Sequence, residues 1–276
     1  KDMVYLSDNE MREVTGSDTY CGGSYDEGEA HCHPLNYALG IAKAALSAGA
    51  IIFESTAAIR YKIHNNYVRV KTQNGSIKAE RVILACNGYL ENLEKRLTSK
   101  ILPMNNYIVA TKPLDDDIVK KINPRDIAFA DSRFVINYFR LSADKRLLFG
   151  GGENYSKNLS KNIVPIVTKP LEKIYPFLKG VKIDYAWGGK LAITMNRLPF
   201  FTTLHNDKVI SAQGYSGQGV ALASYSGKIV SEKITGDGET FDIMSSIPRQ
   251  SFPGGRFLRN PSMKIGMLYY SLLDRI

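Results

Sequence analysis

The sequence predicts an α/β domain interrupted by an inserted α+β domain built on an antiparallel sheet. Three observations predict it. A helix leads directly into an apolar segment near residue 51, and a glycine-rich turn joins a strand to a helix near residue 214. Between them, from Pro103 to about Ala192, the texture changes to strands joined by short turns. A chain of 276 residues has room for two domains, at about 100–200 residues each.

Lys1–Gly28 is polar and broken by Gly16, Gly22, Gly23 and Gly28. A helix follows, opened by Pro34, whose fixed φ suits a first turn, and carried by Leu35, Leu39, Ala42 and Leu46. Gly49 ends it, and Ile51-Ile52-Phe53 is expected as a short strand, the second half of a βαβ unit. Alternation in Tyr67–Lys71 and Ser76–Ala79 around Asn74-Gly75 predicts a hairpin. Val82-Ile83-Leu84-Ala85 is continuously apolar and reads as a strand buried on both faces, broken by Cys86-Asn87-Gly88. Ligands sit beyond the carboxyl ends of such strands, although a plain strand-ending turn fits these residues as well.

In the middle segment, Tyr107–Thr111, Phe134–Leu141 and Arg146–Phe149 read as strands, the last two joined at Ala143-Asp144-Lys145 and ended by Gly150-Gly151-Gly152. A helix over Val164–Leu178 and a strand through Ile183–Trp187 complete it. Alternating α/β texture returns with Lys208–Ala212, a turn over Gly214–Gly219 and a helix to Ile234. Its apolar face is expected along Val220, Ala223, Gly227, Val230 and Ile234, with Gly236 as cap.

Composition excludes several classes. With 44% hydrophobic and 23% charged residues the chain is neither disordered nor collagen-like. No apolar run reaches the roughly 18 residues that cross a bilayer, and no signal peptide is expected. Three cysteines without a CxxC pair oppose a disulfide framework or a zinc site, and a cytoplasmic location is expected. His31, His64 and His205 have no metal-ligand spacing. The net charge of +9 is spread along the chain without a long block, so nucleic-acid binding is not expected. The tail from Phe252 to Ile276 reads as a basic amphipathic helix that docks on protein rather than on a membrane.

The turn at 214–219 carries the most information. Its glycines let backbone approach a ligand, and its peptide N–H groups and those of the following helix are expected to be unbonded, an anion site. No Lys follows the last glycine, so it is no P-loop, and the spacing GxxGxG is not the dinucleotide fingerprint. A flavin, whose reduced ring carries negative charge, suits it better. Tight helix–sheet packing is the other reading that the turn alone allows.

Five segments read together resemble a known family: His33-Pro34-Leu35, Ile83-Leu84-Ala85-Cys86-Asn87-Gly88, Trp187-Gly188-Gly189, Asn196-Arg197-Leu198-Pro199 and Gly214-Tyr215-Ser216-Gly217-Gln218-Gly219-Val220. That family is the glycine oxidase/D-amino-acid oxidase family of FAD-dependent oxidoreductases. Arg146–Gly152, Lys182–Trp187 and Phe252–Arg256 are similar to a branch acting on gamma-glutamylated diamines. The resemblance implies oxidation of an amine or amino acid to an imine and then an aldehyde, with O2 reduced to hydrogen peroxide.

By the same resemblance Gly214, Ser216, Gly217, Gln218, Gly219 and Val220 line the flavin's pyrimidine end. Ala58 touches its adenine side, and Ala85, Asn87 and Gly88 border the dinucleotide. His33 and Trp187 lie near flavin and substrate as catalytic candidates, although an isolated His and a lone Trp are also common as structural residues. No Cys stands near Gly189, which implies non-covalent FAD. Residues 1–102 become a partial FAD-binding domain, 103–192 the substrate domain, 193–240 the return to the first, and 241–276 a tail. The GxGxxG that grips the diphosphate in this family is absent from the sequence, so a truncated chain is expected, with weakened FAD binding and exposed apolar edges that invite self-association.

Overall fold

The computed structural model describes residues 3–133, 135–152 and 158–255, together with Pro261. In chain order its strands and helices are β1 (Met3–Ser7), α1 (Asp8–Thr15), β2 (Gly22–Asp26), α2 (Pro34–Ser47), β3 (Ala58–Ile63), β4 (Val68–Thr72), β5 (Ser76–Ala79) and β6 (Val82–Leu84). Then come α3 (Lys95–Thr98), β7 (Leu102–Thr111), α4 (Asp116–Ile122), β8 (Phe129–Ala130), β9 (Tyr138–Leu141), β10 (Leu147–Gly150) and α5 (Val164–Ile174). The series closes with β11 (Ile183–Ile193), β12 (Phe200–Leu204), β13 (Val209–Gln213), α6 (Gly219–Thr235) and α7 (Glu239–Ser246). The mixed α/β class read from the sequence holds. No described helix is long and apolar enough to cross a membrane.

The described residues divide into two compact units, one holding residues up to 39 and 105–189, the other 40–104, 190–255 and Pro261. In the first, β8, β9, β10 and β7 pair antiparallel and β11 adds beyond β7. Alternation puts Tyr107, Val109, Phe139 and Phe149 into one core with Val167, Leu171 and Ile174 of α5. Phe139 stacks on Phe149 at 5.5 Å and meets Tyr175 edge-on at 5.6 Å.

The opening residues belong to this unit rather than to the rest of 1–102, and the reason is specific. Ser7 and Glu10 form a reciprocal capping box that starts α1. Gly16 then turns left-handed at φ 62°, where a Cβ would meet the Lys121 carbonyl oxygen at 2.1 Å. Ser17 Oγ donates to the Ile174 carbonyl at 2.7 Å and Tyr175 Oη donates to the Thr15 carbonyl at 2.9 Å.

The second unit holds a sheet ordered β12-β13-β6 and an antiparallel sheet ordered β3-β4-β5. On one face of the first sheet, Phe201, Ile210 and Ala212 pack with Ile229, Val230 and Phe241 of α6 and α7. On the other, Leu84, Phe200 and Val209 pack with Leu90, Leu97 and Ile101, against which Tyr61 and Ile63 of β3 also lie.

Three expectations need correction here. Ile51-Ile52-Phe53 is not a strand: no strand pairs with it among the described residues, and the three side chains are exposed. Strand β6 is not buried on both faces, since Leu84 is buried but Ile83 is 48% exposed and Ala85 is exposed. Helix α2 forms where its spacing predicts, with none of its residues buried. In α6 the buried residues are Ser226, Ile229 and Val230, whereas Val220, Ala223 and Gly227 of the expected face are exposed. Contact with Ile210 and Ala212 decides which stripe turns inward, and spacing alone does not. The expected amphipathic tail lies almost wholly outside the described residues.

Candidate functional site

Strands β6 and β13 run parallel, with Ile83 beside Ile210 and Leu84 beside Ser211. Their carboxyl ends therefore come together, and so do the turns that leave them. After β6 the chain bends through Asn87 at φ 47°, a conformation Asn tolerates better than most residues. Gly88 follows, buried so closely that a Cβ would meet the Lys190 carbonyl oxygen at 2.4 Å. After β13 the chain turns through Gly214, Ser216 and Gly217, all at positive φ.

The two turns are tied together. Gly214 N–H donates to Asn87 Oδ1 at 3.1 Å. Ser216 N–H donates to the Ala192 carbonyl at 2.9 Å, and Ser216 Oγ lies 3.2 Å from Thr194 Oγ1. Gln218 N–H closes onto the Tyr215 carbonyl at 2.9 Å.

So the protein itself engages the N–H groups of Gly214, Ser216 and Gln218, and the expectation of a fully unbonded turn is corrected. These bonds are the means by which a loop of positive φ angles is held in one shape. The N–H groups of Gly217, Gly219, Val220 and Ala221 make no hydrogen bond among the described residues. They stand at the start of a 17-residue helix, where such donors favour negative charge. A Cβ at Gly217 would meet nothing within 4 Å, and one at Gly219 would come no closer than 3.5 Å to Tyr215. Among the described residues, the unbonded donors thus sit beside backbone that is open at Gly217 and flanked at Gly219 by Tyr215 alone. This donor set fits the polar, electron-accepting edge of a flavin ring.

Ten of the twelve residues expected at the site lie in the second unit. Gly214, Ser216, Gly217, Gln218, Gly219 and Val220 form the turn and helix start, and Asn87 and Gly88 the adjoining turn, with exposed Ala85 leading into it. Ala58 begins β3 opposite Thr72, and no hydrogen bond among the described residues joins it to the turn. His33 and Trp187 lie in the first unit. His33 caps α2, its Nδ1 accepting from Asn36 N–H at 3.3 Å. Trp187 is 44% exposed on β11 rather than a core residue.

Sequence reasoning missed Ala192 and Thr194, which brace the turn from the end of β11. It also missed Gln213, fully buried just before the turn with Oε1 lacking a partner among the described residues. A Gln at the end of an apolar strand was the available signal. A further buried group is Glu94, bound by Arg96 through Nε and Nη2 at 3.0 Å each and by the Tyr61 hydroxyl. Burial would raise its pKa, but the hydrogen bonds from Arg96 and Tyr61 outweigh it and hold the carboxyl down at about 2.

Comparison with known proteins decides the family. The model of the DAO family, described as FAD dependent oxidoreductase, matches residues 2–233. The chain belongs to the DAO family of FAD-dependent oxidoreductases. This DAO-family chain is 36% identical over 277 residues to the gamma-glutamylputrescine oxidoreductase of Escherichia coli, covering 100% of itself and 65% of that protein. It is 37% identical over 279 residues to the probable oxidoreductase OrdL of Haemophilus influenzae, covering 100% of itself and 64% of that protein. The chain thus spans 64–65% of the length of these curated relatives. Among solved structures, glycine oxidase from Geobacillus kaustophilus superposes with a TM-score of 0.76 at 20% identity, covering 91% of this chain and 68% of that one. L-Proline dehydrogenase from P. horikoshii gives 0.68 at 24% identity, covering 84% and 64%. Both share the fold.

Proposed function

We propose that the protein to which this chain belongs oxidises the CH–NH bond of a gamma-glutamylated diamine or a similar amino acid. The amine loses two electrons and two protons to become an imine, water hydrolyses the imine to an aldehyde and ammonia, and O2 takes the two electrons and two protons as hydrogen peroxide. The observation that carries this reading is the row of unengaged N–H groups at Gly217, Gly219, Val220 and Ala221, beside glycines open to close approach. The likeness to the gamma-glutamylputrescine oxidoreductase of Escherichia coli supports the substrate class.

Bound FAD would supply the two-electron acceptor. The peptide donors at the start of α6 would hold its polar ring edge, with Ser216, Gln218 and Val220 around it. Asn87 would act through Gly214, keeping the turn in the shape that aims those donors. Ala58, Ala85 and Gly88 would border the rest of the dinucleotide. His33 and Trp187 would stand on the substrate side, within a substrate domain centred on residues 103–192. Attachment would be non-covalent, since the positions around Gly189 hold no Cys. The three free cysteines accord with a cytoplasmic setting.

A second reading is a binding module without flavin. The engagement of Gly214, Ser216 and Gln218 by the protein favours it, because it leaves fewer donors for a ligand. Titration of the purified chain with FAD, followed by flavin fluorescence and visible absorption, separates the two. Saturable binding with a perturbed flavin spectrum is expected, and peroxide release on adding gamma-glutamylputrescine would assign the substrate. A chain that leaves the spectrum of free FAD unchanged would overturn the flavin site.

A further inference from the structure

The +9 charge that looks dispersed along the sequence is concentrated by the fold. Between Ala58 and Arg81 stand six Lys and Arg against the single acid Glu80, which accounts for five of the nine net charges. Pairing in the β3-β4-β5 sheet then puts most of them on one face. Lys62 lies opposite Arg69, and Arg69 opposite Lys78, so three cations stand abreast across three strands. Arg60 and Lys71 form a second cationic pair two residues along. The opposite face carries Tyr61 and Ile63, which turn to the core.

Like charges directly opposite each other destabilise a sheet. Here three such pairs adjoin, all five side chains are exposed, and none forms an ion pair with an acid among the described residues. Four of them, Arg60, Lys62, Arg69 and Lys71, line an open hollow of about 510 Å³ with Thr72 and Ser76. That volume is in the range of small-molecule sites, which run from about 300 to 1,000 Å³. The cations repeat at about 4.8 Å across the strands and about 6.8 Å along them. Such a grid matches several anionic groups held close together in one molecule.

We propose that this cationic sheet face is a binding site for a compact polyphosphate anion. Phosphate suits it because Arg forks and Lys ammonium groups bond its oxygens with charge-assisted hydrogen bonds. Single-stranded nucleic acid suits it less. Tyr67 and His64, beside this face, stack on each other at 4.4 Å, and Lys78 covers the Tyr67 ring at 4.4 Å, so Tyr67 offers no platform for a base. A bilayer suits it less as well, since the hollow has no apolar side chain among its lining residues to enter the lipid.

The test is calorimetric titration of the whole chain with inorganic tripolyphosphate at about 150 mM salt, where the screening length is about 8 Å. Saturable one-to-one binding is expected, weakened about tenfold by Lys62→Gln or Lys71→Gln, the loss of one charge-assisted bond. Lys228→Gln, on α6, should leave it unchanged. Both sheet variants should melt no lower than the parent, because they relieve like-charge opposition, so lost binding would not reflect lost folding. Absent or non-stoichiometric binding, or equal loss in Lys228→Gln, would overturn the proposal. So would preferential binding of an octaglutamate peptide, of a single-stranded oligonucleotide or of phosphatidylglycerol vesicles.

Discussion

Asn87 Oδ1 accepts the N–H of Gly214 across 127 residues of sequence, joining the turn that leaves β6 to the turn that leaves β13. One side chain thus fixes the relation between the ends of two parallel strands. It does so from a left-handed backbone conformation that few other residues would adopt at so small a cost.

Asn87→Ala removes the acceptor and leaves a non-glycine Cβ at φ 47°. Its expected cost is about 2–3 kcal/mol, one unpaired peptide N–H plus the backbone strain. Asn87→Asp keeps an acceptor and should lose much less. Urea unfolding of the two variants checks this, and equal stabilities would mean that the bond does not hold the turns.

Gly219→Ala and Gly217→Ala separate folding from cofactor contact. At Gly219 the new methyl group would only touch Tyr215 at 3.5 Å, so stability should change by about 0.5 kcal/mol or less. Its affinity for FAD should nevertheless fall about tenfold, because the methyl group fills the approach to the unbonded donors. At Gly217, φ 101° makes any other residue strained, and stability should fall by about 1–2 kcal/mol. Flavin fluorescence quenching beside thermal melts distinguishes the two effects. Unchanged FAD affinity in Gly219→Ala would remove the ligand from that spot.

Glu94 sets an acid limit on the second unit. Its carboxyl titrates at about 2 in the folded chain against an ordinary 4.5, so it contributes stability above pH 4.5 that disappears as pH falls toward 2. Glu94→Gln should cost about 1–3 kcal/mol at neutral pH. The gap between parent and variant should close as pH drops through that window, followed by chemical denaturation at stepped pH. A gap that stays constant to pH 2 would mean that Arg96 and Tyr61 do not hold the ionised form.

What the sequence made legible was local. Pro34 and Gly49 bracket α2, Asn74-Gly75 marks the β4–β5 hairpin, and the run after Arg81 becomes β6. Each of these rests on chemistry within a few residues. What it hid was pairing at a distance. Ile51–Phe53 has strand composition but no partner strand among the described residues, and of the apolar stripe expected on α6 only Val230 joins the cluster with Ile210. The capping box of Ser7 and Glu10 was readable and announces α1, although the surrounding glycines obscured it. In the candidate site the glycine turn was visible. The bonds that brace it from Asn87, Ala192 and Thr194 were not, because their partners are 22 to 127 residues away. The cationic face of β3–β5 escaped for the same reason, since only register brings Lys62, Arg69 and Lys78 abreast.

Helix α2 gives the fold an unusual economy. It spans 14 residues, near the length at which a helix alone in water is marginal, and none of its side chains is buried. Little tertiary burial therefore resists its fraying, and its amides are the ones whose exchange with solvent should slow most when another surface comes to lie against Leu39, Ile41 and Leu46.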